Sequence, residues 1–200
     1  CCLSSGPRGV ALIPTFAAAT DVDGVVLNLY DAGTGKLVLR DGTAVSLSTE
    51  TLYPSDGRIQ ITVSPAVKET FSVKLRIPAW CRTASVEVNG GKVDIKPGAD
   101  GYAAIKRTWN SGDKIALNFK LESRVIIGDH SNLGSVAVLY GPLVLAADEA
   151  LMTDDVKSLA GFVIANPDLA ALAVTPEPAP DALKTWAGAQ VFRVSAQARK

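Results

Sequence analysis

Thr70-Phe-Ser-Val-Lys-Leu-Arg-Ile-Pro-Ala-Trp-Cys81, TFSVKLRIPAWC, decides the fold. Phe71, Val73, Leu75 and Ile77 alternate with Ser72, Lys74 and Arg76, the period of a strand with one buried face. Pro78 has no N–H for a ladder, so the strand stops there, and Trp80 is placed to cap the edge of the core. Ile59, Ile61 and Val63 alternate in the same way upstream, as do Val86 and Val88 downstream, just before an Asn89-Gly90 hairpin turn. The centre of the chain is therefore predicted to be an antiparallel sandwich, with Phe71, Leu75, Ile77, Val86, Leu117 and Phe119 in its core.

Working outward, short strands recur at even spacing, separated by turn residues. They are expected over 25–30, 36–40, 43–49, 58–63, 92–95, 102–109 and 114–121. Ala32-Gly33-Thr34-Gly35, Asp41-Gly42, Tyr53 to Gly57 and Asn110 to Asp113 serve as the turns. A second β unit is expected from Asp129, with nearly continuous apolar runs over 136–139 and 143–147 reading as buried strands. Beyond it, 154–159 and 167–173 read as short helices, 175–180 as a Pro-rich link and 186–194 as a last strand. Before Val25 the texture is helical, with Ser5-Gly6-Pro7 as a start and Pro14 as a kink. The expected divisions are 1–20, 21–128 and 129–200. The fold class is mainly β, a sandwich followed by part of a second β domain and preceded by a short helical piece.

Hydrophobic residues make up 48% of the 200 and charged residues 20%, the balance of a folded chain. Lys plus Arg and Asp plus Glu number 20 each, so no net field points to nucleic acid, and no apolar run is long enough to span a bilayer. The chain starts at Cys1 and its single Met is Met152, so it reads as a fragment or a processed product. Three cysteines make no disulfide framework and leave the compartment open.

Few residues carry recognisable chemistry. No Gly-rich phosphate loop, Ser elbow or zinc-finger cysteine spacing is present. The single histidine, His130, lies in a polar loop and reads as a solvated side chain. Asp148-Glu149 and Asp154-Asp155 read as exposed element ends rather than as a glycosidase carboxylate pair. Cys81 follows a sandwich strand and reads as a buried free thiol. Cys1-Cys2 differs, because two adjacent thiols can reach one metal where Ser4-Ser5-Gly6 lets the backbone bend. A structural zinc site takes four ligands, so either the pair is incidental or its partners lie outside this sequence. An acylated Cys1 at the mature end of a lipoprotein is a third reading.

Seven motifs stand in order: CC-x-x-x-G-P-R-G (1–9), N-L-Y (28–30), T-x-Y-P-x-x-G (51–57), L-R-I-P-x-W (75–80), V-N-G (88–90), R-x-W-x-x-G-D (107–113) and G-P-L-V (141–144). Together they resemble glycoside hydrolase family 127, the β-L-arabinofuranosidase-like proteins, over residues 1 to about 149. The resemblance implies a helical (α/α)6 barrel upstream, with residues 1–20 as its last piece and the rest as accessory β-sandwiches. It implies Cys1 as nucleophile and zinc ligand, and Cys2 as zinc ligand. The remaining ligands and the acid/base glutamate would lie upstream. The implied substrate is an L-arabinofuranoside or a related sugar, split with retention; the missing barrel is the expected partner, and a homodimer is admitted. The alternative reading is a non-catalytic sandwich for carbohydrate binding or domain support.

Overall fold

The computed structural model describes residues 2–148, 151, 162–163, 172–178, 190–194 and 197–198. It divides into two compact units, Cys1–Lys120 and Leu121–Lys200. That division comes eight residues before the sequence boundary at 128/129.

The first unit opens with helix α1 (Cys2–Leu12) and a 3-10 turn, η1 (Ile13–Phe16). The helix starts and stops earlier than expected and carries Pro7 in its interior. Proline there removes one backbone bond and opposes the carbonyl a turn earlier. Pro14 sits in the first turn of η1, where its fixed φ suits the tighter helix. Ten strands follow: β1 (Ala18–Thr20), β2 (Gly24–Leu27), β3 (Gly33–Val38), β4 (Ala44–Thr51), β5 (Arg58–Pro65), β6 (Glu69–Arg76), β7 (Ala84–Val88), β8 (Gly91–Val93), β9 (Tyr102–Trp109) and β10 (Asp113–Phe119). Four of them form one sheet in the order β1-β2-β6-β9, and six form the other in the order β3-β4-β5-β10-β7-β8.

The expected sandwich is present, and the alternation in the sequence is the alternation of burial. β10 alternates buried and exposed residues along its whole length, with Ile115, Leu117 and Phe119 inside. Phe71, Leu75, Ile77 and Val86 are buried as expected, and Trp80 packs edge-on against Phe119 with centroids 5.8 Å apart. Each fully buried side chain of this size contributes about 1.5–3 kcal/mol. Asn89 (φ 51°) and Gly90 (φ 79°) make the two-residue hairpin between β7 and β8, the pairing of positive φ values that such a turn demands.

Two details differ from the expectation. The sheets are antiparallel except at β2 and β6, which run parallel with Val25 beside Val73. The chain crosses to the other sheet for β3, β4 and β5 before it returns, and a crossover of that kind allows parallel pairing. Gly33-Thr34-Gly35, read as a turn, lies inside β3 and pairs with β4 at an edge where missing side chains cost little.

In the second unit β11 (Ser123–Ile127), β12 (Val136–Tyr140) and β13 (Leu143–Val144) form a three-stranded antiparallel sheet, with a 3-10 turn η2 (His130–Asn132) between the first two strands. β14 (Phe162–Val163) pairs with β17 (Gln197–Ala198), and β15 (Val174–Glu177) with β16 (Val191–Val194). Of the apolar runs expected to be buried strands, 136–139 is a strand but only Leu143–Val144 of 143–147 is, and Leu139 alone is buried, while Val136 and Val144 are exposed. Residues 175–177 of the segment read as a link lie in strand β15. The helix expected at 154–159 lies outside the described residues, as does most of that expected at 167–173, whose described residues 172–173 are not helical.

Candidate functional site

Cys1, the residue expected to be the nucleophile, lies outside the described residues, and helix α1 begins at Cys2. The side chains of the helical segment are described from Leu3 onward. Leu3, Val10, Leu12, Ile13 and Phe16 are all exposed, Leu3 at 95%. A run of large apolar side chains in water is unfavourable for a helix that also carries Gly6 and Pro7, so little holds this segment except its attachment to the sandwich.

That attachment centres on Asn28, the first residue of the N-L-Y motif. Its Nδ2 donates to the Phe16 carbonyl at 3.0 Å, and its backbone N–H to the Ala17 carbonyl at 2.9 Å. Leu29 N–H reaches the same Ala17 oxygen at 3.2 Å. Tyr102 donates its hydroxyl to Asn28 Oδ1 at 2.6 Å. Tyr102 lies on β9, opposite Arg76 of β6, and β6 stands between β9 and β2. The phenol therefore crosses one whole strand to reach Asn28. No local pattern predicts this, because 74 residues separate the partners.

The other motifs build the same end of the sandwich. Tyr30 is buried and donates to the Arg76 carbonyl at 2.8 Å; burial pushes its phenol well above the ordinary tyrosine range. Tyr30, Tyr53 and Trp80 all pack edge-on against Phe119, with centroids 5.6 to 5.9 Å away. Thr51 Oγ1 closes the 51–57 loop by donating to Arg58 O at 2.7 Å and accepting Tyr53 N–H at 2.9 Å. A side chain at Gly57 would meet Phe119 O at 1.9 Å, so only glycine allows the loop to lie against β10. The V-N-G and R-x-W-x-x-G-D motifs meet through Asn89 and Asp113. These residues are framework.

Cys81 is buried, and its thiol donates to Thr83 O at 3.2 Å. Among the described residues no three or more His, Cys, Asp or Glu side chains are grouped to hold a metal ion. His130 is exposed in η2 of the second unit, and Asp148 is also exposed; Glu149, Asp154 and Asp155 lie outside the described residues.

Comparison with known proteins agrees with this framework. Residues 24–121 match the family described as beta-L-arabinofuranosidase, GH127 middle domain. Over 160 residues the chain is 29% identical to the non-reducing end beta-L-arabinofuranosidase of Bifidobacterium longum subsp. longum, covering 74% of this chain and 23% of that protein. A GH127 beta-L-arabinofuranosidase from Geobacillus stearothermophilus T6 superposes with a TM-score of 0.78 at 29% identity, over 98% of this chain and 34% of that one. A second solved GH127 beta-arabinofuranosidase gives 0.79 at 25% identity, over 99% and 32%. The sandwich is thus of the class found in glycoside hydrolases. Within that class, residues 24–121 carry the middle domain of glycoside hydrolase family 127, and the chain as a whole is similar to enzymes of that family. It spans between 23% and 34% of the length of these relatives.

Proposed function

We propose that these 200 residues are the carboxy-terminal part of a retaining glycosidase that acts on L-arabinofuranosides through a cysteine nucleophile, Cys1. The observation that carries this reading is the alignment with a non-reducing end beta-L-arabinofuranosidase over 74% of the chain. Most of the chain then has an accessory role, in keeping with motifs that are spent on turns and packing. The exposed apolar side chains of α1 and η1 support the reading of this segment as the last piece of a larger helical domain.

Two thiols suit zinc by their chemistry, and they make half of a tetrahedral set. Cys1 and Cys2 would hold the ion, with two ligands from the upstream part of the protein; Cys81 is buried in the sandwich with a backbone partner. Bound there, zinc would keep the thiols as thiolates, against an ordinary thiol pKa of about 8.5. The Cys1 thiolate attacks the anomeric carbon, and the glycosidic C–O bond breaks as the C–S bond forms. The departing oxygen takes a proton from a general acid that this chain does not supply. Water, deprotonated by the same group, then displaces the sulfur and releases the sugar with its original anomeric configuration.

The test compares the 200-residue chain with the complete protein. The complete protein should release L-arabinose from an aryl β-L-arabinofuranoside and hold zinc, whereas the 200 residues alone should do neither. Turnover by the isolated chain contradicts the accessory reading.

A further inference from the structure

We propose that Asn28 and Tyr102 are positioning residues for the cysteine pair: together they fix the direction in which the cysteine-bearing helix leaves the sandwich. The proposal rests on the reading of Cys1 and Cys2 as nucleophile and metal ligands, and it adds two residues that no motif assigns to the reaction.

The geometry is specific. The helical segment 2–16 has no ladder to any sheet, and its side chains from residue 3 onward are exposed. It joins β1 at the carbonyls of Phe16 and Ala17. Three N–H donors converge on those two oxygens, two of them from Asn28. An asparagine amide has a donor end and an acceptor end, and only one orientation serves both partners here. The Phe16 carbonyl needs the NH2, so the Asn28 oxygen faces Tyr102 and accepts its hydroxyl at 2.6 Å. Tyr102 is in turn held on β9, whose ladder to β6 runs from Glu69–Trp109 to Arg76–Tyr102. A side-chain path thus runs from the rigid sheet to the last turn of the helical segment. A lateral error of about 1 Å at a reacting group lowers rates on the order of a hundredfold, so the anchor at the root of the cysteine-bearing helix is one place where such an error originates.

The test uses the complete zinc-loaded protein and the variants Asn28→Ala, Tyr102→Phe and, as a control, Thr108→Val. Thr108 shares a 2.7 Å hydroxyl contact with Thr70 on the outer face of the same sheet, away from the helix root. Two quantities are read: the rate of zinc loss to a chelator, and kcat and KM on an aryl β-L-arabinofuranoside. Asn28→Ala should speed zinc loss and lower kcat, each by roughly tenfold, with KM within about twofold. Tyr102→Phe keeps the ring and loses only the hydroxyl, so it should move both quantities in the same direction by a smaller factor, and it bears the test should Asn28→Ala fail to fold. Thr108→Val should leave both unchanged. A variant that lowers thermal stability or raises KM, with zinc loss and kcat at wild-type values, marks a merely structural role and overturns the proposal. Cys1→Ser with near-normal turnover strikes instead at the underlying reading, so the two failures are distinct.

Discussion

Asn89 donates its side-chain N–H to Asp113 Oδ1 at 2.9 Å, joining the turn after β7 to the start of β10. The same side chain accepts Lys114 N–H at 2.8 Å, and Asn89 N–H donates to the Lys114 carbonyl at 2.9 Å. Asp113 Oδ2 accepts Asn110 N–H at 2.9 Å and lies 3.8 Å from Arg107, whose guanidinium stands 5.2 Å over the Trp109 ring. Two motifs far apart in sequence thus describe one knot at the end of the six-stranded sheet.

Burial alone would raise the Asp113 pKa, but hydrogen bonds from Asn110 and Asn89 and the Arg107 charge outweigh it and hold the carboxyl below its ordinary value of 3.8. A depressed carboxyl stabilises the fold above its unfolded pKa, and that contribution disappears as pH falls through the folded value. We expect Asp113→Asn to be less stable than the parent at pH 7, by about 1–3 kcal/mol. The gap should close as pH drops below about 4. Denaturant unfolding at pH 7, 5 and 3.5 checks this; a gap that stays constant with pH contradicts the assignment.

Core packing yields a second expectation. Leu75 is fully buried and Phe71 is 4% exposed. Leu75→Ala or Phe71→Ala should each destabilise the sandwich by roughly 2–5 kcal/mol. A loss below about half a kcal/mol would mean that β6 has been placed in the wrong register, since one step turns these side chains to solvent.

Gly57 offers a sharper test of the loop against β10. Its missing side chain would overlap the Phe119 carbonyl at 1.9 Å. Gly57→Ala should therefore cost more than the few tenths typical of an exposed glycine position, on the order of 1–3 kcal/mol. A neutral or stabilising substitution, measured by thermal unfolding, would show that the loop does not lie there.

Cys81 provides a negative control for the metal reading. Its thiol is buried and donates to Thr83 O. Zinc content of the complete protein should survive Cys81→Ala, measured by elemental analysis after exhaustive dialysis. Loss of metal from a well-folded variant would place Cys81 among the ligands.

Where side chains alternate with a strict period of two, the sequence is explicit about structure. β5, β6, β9 and β10 bury the faces that their residues announce, because burial of Ile59, Val73, Ile105 and Leu117 is itself the driving force. The Asn89-Gly90 turn is legible for the same local reason. Less legible is whatever depends on distant partners. The parallel pairing of β2 with β6 follows from a crossover through the other sheet, and no residue of 24–27 signals it. β11 carries no such signal, since Ser123 to Ile127 is short and none of its residues is fully buried. Asn28 was visible as a motif residue, but its role requires Tyr102, a residue of another strand. Of the proposed site, Cys1-Cys2 stands out in the sequence by adjacency alone.

The most direct measurement concerns Cys1. The complete protein, its Cys1→Ser variant and its Cys2→Ser variant are assayed on an aryl β-L-arabinofuranoside, and peptides are weighed after reaction with a slow substrate. We expect Cys1→Ser to abolish turnover with the fold intact. Cys2→Ser should first lower zinc occupancy and lower activity only as a consequence. The parent enzyme should carry a pentosyl mass on the peptide containing Cys1. Near-normal turnover by Cys1→Ser, or an acyl mass at Cys1 in place of a sugar, would contradict the nucleophile reading.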